Sequence, residues 1–277
     1  MSTIAERRQN FHELHSKSCF AIPNPWDIGS ARYLQHLGFK ALATTSAGFA
    51  FSRGLADGAV GRDMMLAHIR EMVETVDIPV NADFENGYAH DPDELDENVR
   101  LCIKTGVAGL SVEDNSGRKD RPLYDVDLAV ERLKAAREAI GDSDVVLTGR
   151  TECFLVGVND IHEVIRRLTA YANAGADCLY APGIRERADI SAVVAAVAPK
   201  PVNLLIGGAI GLTMADAATL GVRRVTVGGA LARAAWGGFI PAAKELAEQG
   251  TFDGFAQASP HSELQEFFRK DSEPTSK

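Results

Sequence analysis

The stretch that decides the fold runs from residue 145 to residue 182. It opens Val145-Val146-Leu147-Thr148-Gly149-Arg150-Thr151-Glu152, a short apolar run ending in polar residues. An amphipathic segment follows, Ile161 to Ala174. Gly175-Ala176-Asp177 then leads into a second apolar run, Cys178-Leu179-Tyr180-Ala181-Pro182. Such runs suit parallel strands covered on both faces. The segment between them has helical period, and Gly175 stands where a helix ends in the left-handed conformation. The whole reads as strand, helix, strand, the crossover that two parallel strands require.

The same unit recurs in both directions. Further strand candidates are Cys19–Pro25, Ala41–Ser46, Pro79–Glu85, Gly109–Asp114, Pro201–Ile206 and Arg224–Gly228. The helical segments are Ile28–Leu37, Arg62–Val76, Pro92–Thr105, Val126–Ile140, Ile190–Val197, Thr213–Leu220 and Leu231–Glu248. Leu37-Gly38, Thr105-Gly106 and Leu220-Gly221 repeat the glycine ending, and Asp91 and Asp125 stand as N-caps before Pro92 and Val126. Eight units in 277 residues is about 35 residues each, the size of one strand–helix unit of a (β/α)8 TIM barrel. A doubly wound open sheet is the rival, but no Gly-rich dinucleotide fingerprint follows the first strand. The expectation is an α/β chain, 1–277, folding as a single (β/α)8 TIM barrel domain. A short helix within Met1–Lys17 docks through Ile4, Phe11 and Leu14, and a helical extension closes the C-terminus. Asp271–Lys277 reads as a frayed polar end.

The chain carries 29 Lys+Arg and 38 Asp+Glu, a formal charge of −9. That balance argues against nucleic acid or an anionic membrane surface as partner. No run of about 18 apolar residues predicts a membrane span, and the first residues lack the apolar core of a signal peptide. Cys19, Cys102, Cys153 and Cys178 are widely spaced with no CxxC, so they read as reduced, mostly buried thiols of a cytoplasmic protein. An acidic chain that binds an acidic substrate needs a local correction, such as a metal ion or a placed arginine.

In a barrel of this kind, residues at the C-terminal strand ends and in the following loops face the site. Those positions hold Ser46-Ala47-Gly48 and Asp57 after strand 2, Asp83 and Glu85 at strand 3, and Glu113 at strand 4. Arg150 ends strand 5, and Asn203 lies in strand 7. Asp83 and Glu85 are two apart, which on a strand puts both side chains on one face. With Glu113 they make three converging carboxylates, which repel unless a proton or cation intervenes. Oxygen ligands at this density suit Mg2+, with Mn2+ as an alternative. Arg150 either grips a carboxylate or phosphate or pairs with Glu152 or Glu113. The Ser46-Ala47-Gly48 turn can offer backbone N–H groups to an anion.

Taken together, these residues resemble the isocitrate lyase/phosphoenolpyruvate mutase superfamily. The opening Ala21-Ile22-Pro23-Asn24-Pro25-Trp26-Asp27 and Ala43-Thr44-Thr45-Ser46-Ala47-Gly48 look like the first two units of its small bacterial members. Asp83-Phe84-Glu85-Asn86-Gly87-Tyr88 is similar to the family's metal motif, and Val112-Glu113-Asp114 and Gly149-Arg150-Thr151-Glu152 match its strand 4 and strand 5 signatures. The similarity runs from Phe11 to at least Trp236. It implies a Mg2+-dependent barrel acting on 2-oxo or 2-hydroxy carboxylates through an enolate. By that resemblance Asp57, Asp83, Glu85 and Glu113 correspond to the metal-site carboxylates. Ser46, Ala47 and Gly48 correspond to the substrate cradle, Arg150 to the substrate-carboxylate arginine, and Asn203 loosely to a substrate asparagine. It also implies a homotetramer whose last helices, here Trp236–Glu248 and Ser262–Phe268, pass between subunits.

The chain also departs from the family. The lyases carry a Lys-[Lys/Arg]-Cys-Gly-His gate after strand 4. Here Asn115-Ser116-Gly117-Arg118-Lys119-Asp120-Arg121-Pro122-Leu123-Tyr124 has neither Cys nor His. It does not match the gate of the phosphonate enzymes either. Thr44 replaces the tyrosine that precedes the strand 2 serine in the lyases. The loop still reads as a gate, with Asn115, Ser116 and the basic Arg118, Lys119 and Arg121 able to close over an anion. The leading expectation is a Mg2+-dependent carbon–carbon lyase that cleaves or decarboxylates a small 2-oxo- or 2-hydroxy-dicarboxylate. The alternatives are a C–P bond enzyme of phosphoenolpyruvate mutase or phosphonopyruvate hydrolase type, and a non-catalytic oxo-acid-binding barrel.

Overall fold

The computed structural model describes residues 2–272. All eight expected strands form: β1 Phe20–Ile22, β2 Leu42–Ala43, β3 Val80–Asp83, β4 Gly109–Glu113, β5 Val146–Arg150, β6 Cys178–Tyr180, β7 Val202–Leu205 and β8 Arg224–Thr226. They make one parallel sheet in the order β1-β8-β7-β6-β5-β4-β3-β2. The seam between β1 and β2 is bridged by the Ala43 N–H, which donates to the Pro23 carbonyl at 3.1 Å. The sheet is thus a nearly closed (β/α)8 TIM barrel.

The helices are α1 Ile4–Lys17, α2 Ile28–His36, α3 Ser46–Ser52, α4 Arg62–Thr75, α5 Pro92–Ile103, α6 Val126–Ile140, α7 Ile161–Asn173, α8 Arg187–Val197, α9 Met214–Thr219, α10 Ala230–Gln249 and α11 His261–Ser272. Gly106 and Gly175 follow α5 and α7 at φ +91° and +102°, a conformation that side chains with a Cβ rarely adopt. Asp91 caps α5 by accepting from the Asp93 N–H. Asp125 makes no such bond at α6; its carboxylate is drawn instead to Arg121. Helix α3 was not expected, because Ser46-Ala47-Gly48 has the small residues of a loop. Thr45 starts it by accepting from the Gly48 N–H.

The chain divides into two compact units, Met1–Gly229 and Ala230–Lys277. In the first, α1 seals the N-terminal end of the barrel. Phe11 is fully buried with Ile22, Ala41, Ala43, Ala108, Val146 and Cys178. A Cβ on Gly109 would lie 2.7 Å from the Phe11 ring, so only glycine admits this plug. Arg7 donates to the Val73 and Val76 carbonyls, and Arg8 to those of Ile103, Val107 and Ser143. The docking helix is therefore pinned by its two arginines as well as by Phe11, while Ile4 stays 43% exposed.

In the second unit the Glu245 carboxylate of α10 accepts from the Asp253 and Gly254 N–H groups, fixing the turn that follows the helix. Helix α11 takes in Asp271. The rest of the expected frayed end, 273–277, lies outside the described residues. Cys102, Cys153 and Cys178 are buried, and Cys19 is half-buried; all four thiols are free. Among the described residues no helix is long and apolar enough to cross a membrane.

Candidate active site

Strand register sets the site. Glu113 pairs with Arg150, and Arg150 with Tyr180, so these three side chains stand at one level of the barrel. Asp83 pairs with Ser111, two residues before Glu113. Arg150 is the centre of the group. Its Nε donates to Glu152 Oε1 at 2.6 Å, and its Nη1 lies 3.1 Å from Asp83 Oδ1 and 3.3 Å from Glu113 Oε2. The Tyr180 ring lies beneath, its centroid 5.1 Å from the guanidinium carbon. Both alternatives weighed for Arg150 as an ion-pair partner, Glu152 and Glu113, are therefore realised, and Asp83 is added to them.

Asp83 ends β3. Its Oδ2 accepts from both the N–H and the hydroxyl of Ser46, at 2.9 and 2.8 Å. Its own N–H donates to Thr44 Oγ1 at 2.9 Å. Ser46-Ala47-Gly48 is thus not an open turn. The Ser46 N–H is taken by Asp83, and the Gly48 N–H by Thr45 Oγ1 at 3.2 Å.

Glu85 corrects a second expectation. The strand stops at Asp83, so the two carboxylates do not share a strand face. Glu85 turns back in the left-handed region at φ +47°, with Tyr88 at +57° three residues on. A non-glycine residue held there stores strain that the surroundings must hold in place. The Tyr88 hydroxyl donates to Glu85 Oε1 at 3.0 Å. The fully buried Arg132 donates to the carbonyls of Asn86, Ala89 and His90, clamping the loop from behind.

A cavity of about 180 Å3 opens beside Arg150, and its wall includes Ser46, Ala47, Asp57, Asp83, Tyr180 and Asn203. Glu85, Glu113 and Gly48 are not part of that wall. Asn203 spends both ends of its amide inside the barrel, accepting from Arg224 and donating to Thr226. Asp57 is exposed as a residue, yet it lines the cavity.

Two residues matter more than their sequence context suggested. Glu152 was expected only as one possible partner of Arg150, but its side chain is 5% exposed and makes the shortest ion pair to it. Asp114 holds it there. Asp114 accepts from the Thr151 hydroxyl and the Glu152 N–H at 2.8 Å each, and from Arg167 at 3.0 Å. Glu113 and Asp114, adjacent at the end of β4, thus face opposite ways, one to the barrel interior and one to α7. The available signal was Arg150-Thr151-Glu152 itself, since residues two apart at a strand end can share a face.

The loop Asn115–Tyr124 is a closed turn. Asn115 bridges Leu123, and the Ser116 N–H donates to the Pro122 carbonyl at 2.8 Å. Residues 117–121 at its tip are exposed. Arg118 is paired with Asp120, and Arg121 with Asp125. Two of the three basic residues are therefore already neutralised within or beside the loop. Cys153 is buried against the Thr151 hydroxyl, and burial raises its thiol pKa.

Charge is unbalanced at the mouth. Burial, then the charge of Asp83, pushes the Glu85 carboxyl up to about 7 against the Tyr88 hydrogen bond. Burial drives Glu113 well above the carboxylate range even though Arg150 pulls the other way. Burial and Asp83 also raise Asp57. Burial opposes charge on Arg150, but Glu113, Glu152, Tyr180 and Asp83 together hold it protonated. One guanidinium does not balance Asp57, Asp83, Glu85, Glu113 and Glu152.

Such an excess of buried carboxylate fits a divalent cation. Among the described residues no three of His, Cys, Asp or Glu are gathered closely enough to ligate one ion by themselves. Mg2+ does not need three, because it binds through one or two carboxylates and completes its shell with water and substrate oxygens. The donor set is all oxygen, as a hard cation prefers.

The raised Glu85 value gives a pH dependence. The folded protein holds this proton more tightly than the unfolded chain, whose carboxyl titrates near 4.5. The resulting stability is full below the unfolded value and is lost as pH rises through about 7. In EDTA, Glu85→Gln should match wild type in urea unfolding at about pH 4, below both values. It should be the more stable of the two at about pH 8. A wild-type minus variant difference that stays flat across that range would refute the assignment.

Comparison with known proteins places these features in context. The family model described as phosphoenolpyruvate phosphomutase matches residues 11–247. A solved structure from Burkholderia cenocepacia J2315 is 46% identical with a TM-score of 0.92, covering 96% of this chain and 97% of that one. The oxaloacetate decarboxylase of Paraburkholderia xenovorans is 29% identical over 245 residues, covering 81% of this chain and 76% of its own length. The solved structure of 2,3-dimethylmalate lyase is 27% identical with a TM-score of 0.83, covering 98% and 96% of the two chains. With a family model spanning most of the chain and a carboxylate-ringed Arg150 at the barrel mouth, the chain belongs to the isocitrate lyase/phosphoenolpyruvate mutase superfamily.

Proposed function

We propose that this protein is a Mg2+-dependent carbon–carbon lyase that cleaves or decarboxylates a small 2-oxo- or 2-hydroxy-dicarboxylate through an enolate. The observation that carries this reading is Arg150 ringed by Asp83, Glu113 and Glu152 beside the cavity. The activities named for the oxaloacetate decarboxylase and the dimethylmalate lyase support it. Asp83 is the primary candidate for the cation, with Asp57, Glu85 and Glu113 behind it or acting through water. When bound, Mg2+, or Mn2+ in its place, supplies positive charge for the oxygen that becomes anionic in the enolate.

The chain's own residues do the positioning. Ser46 and Thr44 fix the Asp83 carboxylate from two sides. Arg150, lining the cavity with its Nη1 shared between Asp83 and Glu113, offers a charged donor to the substrate carboxylate. Ser46 and Ala47 lie on the wall that the substrate meets, and Asn203 lies on the same wall below them, while Gly48 keeps the first turn of α3 compact. The Asn115–Tyr124 loop, with Ser116 pinning its base and Lys119 at its exposed tip, serves as the gate.

We further read residues 1–277 as one functional barrel domain in a homotetramer, its C-terminal helices exchanged between subunits. Trp236, Phe239, Ile240, Phe252 and Phe255 are all exposed, more apolar surface than a solitary helix pair needs to show. Four free thiols suit the cytoplasm.

The test is a panel of oxaloacetate and substituted malates, assayed with Mg2+ and with EDTA for pyruvate, glyoxylate and CO2. Metal-dependent release from at least one member is expected. No release from any member would overturn the reading. Orthophosphate released from phosphonopyruvate would favour the C–P alternative.

A further inference from the structure

Barrel interiors are usually filled by branched aliphatic side chains. Below the mouth this one is polar. Asn81, Ser111, Asn203, Arg224 and Thr226 all line the same cavity as Asp83 and Arg150. Arg224 is only 1% exposed. Its Nε donates to Asn203 Oδ1 at 2.8 Å and its Nη2 to Thr148 Oγ1 at 3.1 Å. Its Nη1 lies 3.5 Å from Asn81 Oδ1 and 3.4 Å from His15 Nε2.

Every one of these partners is neutral. His15 Nδ1 lies 2.7 Å from the Phe11 carbonyl, so Nδ1 carries the proton and Nε2 is left to accept from Arg224. Burial, then the charge of Arg224 itself, pushes the His15 imidazole down to about 3, which keeps it uncharged. A guanidinium has five N–H groups, and the four contacts above leave one Nη2 N–H without an acceptor among the described residues. Buried charges are normally paired, because desolvation is costly without a counter-ion. Arg224 has the burial of a paired arginine and, among the described residues, no carboxylate partner.

The cavity is therefore acidic at its mouth, at Asp57 and Asp83, and basic at its floor. A monocarboxylate anchored at the mouth would leave that cation unanswered, whereas a dicarboxylate reaching down the cavity would meet it. We propose that Arg224, held by Asn203, Thr148 and Asn81, forms an anion subsite at the cavity floor that selects for the second carboxylate of a dicarboxylate substrate. The proposal rests on the reading of the mouth given above and names the residue that reads the second carboxylate of its substrate.

Lactate and malate separate the two claims, because they share a 2-hydroxy acid end and differ in one distal carboxylate. Oxalate, whose two carboxylates are bonded directly to each other with no distal group beyond them, reports on the mouth. Calorimetry with Mg2+ should show malate binding to wild type about tenfold or more tighter than lactate. Arg224→Gln should weaken malate about tenfold while leaving lactate and oxalate within about twofold. Arg224→Lys should recover part of the malate preference.

If Arg224→Gln does not fold, Asn203→Asp tests the same point. It sets an internal counter-ion against Arg224 and should erase the malate preference while raising the melting temperature. Oxalate binding with no malate preference in wild type would overturn the floor subsite alone. So would a malate-to-lactate ratio unchanged in the folded variants. No oxalate binding to wild type would overturn the mouth reading and this proposal together.

Discussion

Arg150→Met should lower the unfolding free energy by about 3–5 kcal/mol at neutral pH, the loss expected when one member of a buried ion pair is removed. The guanidinium side chain is 15% exposed, and the carboxylates it serves are 17%, 10% and 5% exposed at Asp83, Glu113 and Glu152. Among the described residues none of the three has another cation in its ion pairs, so all three would be left in a poorly solvated space. They would respond by taking up protons, which ties the deficit to pH. Urea unfolding should show the full loss near pH 7 and a smaller one near pH 5, where the orphaned carboxylates are protonated.

Lysine keeps the charge but not the planar fork. It cannot reach Glu152 through one nitrogen and Asp83 and Glu113 through another, so Arg150→Lys should fall between methionine and wild type. Turnover should drop with either change. A methionine variant as stable as wild type at neutral pH would mean that the ring of carboxylates does not depend on its centre.

Asp83→Asn should nearly abolish metal-dependent turnover, by about 10^3-fold in kcat/KM, with the fold retained. Both oxygens of Asp83 accept: one from Ser46 twice, the other from Arg150. Asparagine has a single acceptor oxygen, so its amide NH2 must point at donors on one side or the other. The change therefore removes a negative charge and also unsettles the orientation of the residue best placed to meet a cation. Calorimetric titration with Mg2+ and oxalate should show the loss in binding as well as in rate. Retention of full Mg2+-dependent activity would reject Asp83 as the metal carboxylate.

The architecture was legible because its signals are local. Apolar runs of strand length, helical period between them and glycines after α5 and α7 each report on a few neighbouring residues, and eight repetitions leave little choice of fold. The site was legible only to the level of which strand ends carry charge. That Glu113 and Arg150 meet follows from register, and a barrel supplies register once its strands are counted. Glu85 was misread because alternation on a strand says nothing about where the strand stops. Here the chain leaves β3 after Asp83 and enters a left-handed turn held by Arg132, whose position in α6 lies 47 residues downstream of Glu85. Ser46 was misread for a related reason. Its N–H looks available in a sequence of small residues, and only the approach of Asp83 from the next strand shows that it is taken. Asp114 and Glu152 matter through partners 38 residues apart, a relation that spacing along the chain does not encode.

The plug formed by α1 bears on the order in which the chain can mature. Its residues leave the ribosome before any strand of the barrel, yet the groups that seat it come much later. Arg8 waits for Ser143, and His15 for Arg224, 135 and 209 residues on. During synthesis the helix has no finished barrel to close, and its apolar face must stay uncommitted until the eighth strand emerges. A segment made before every strand is thus among the last to reach its native place, and the barrel floor becomes a checkpoint on completion of the barrel.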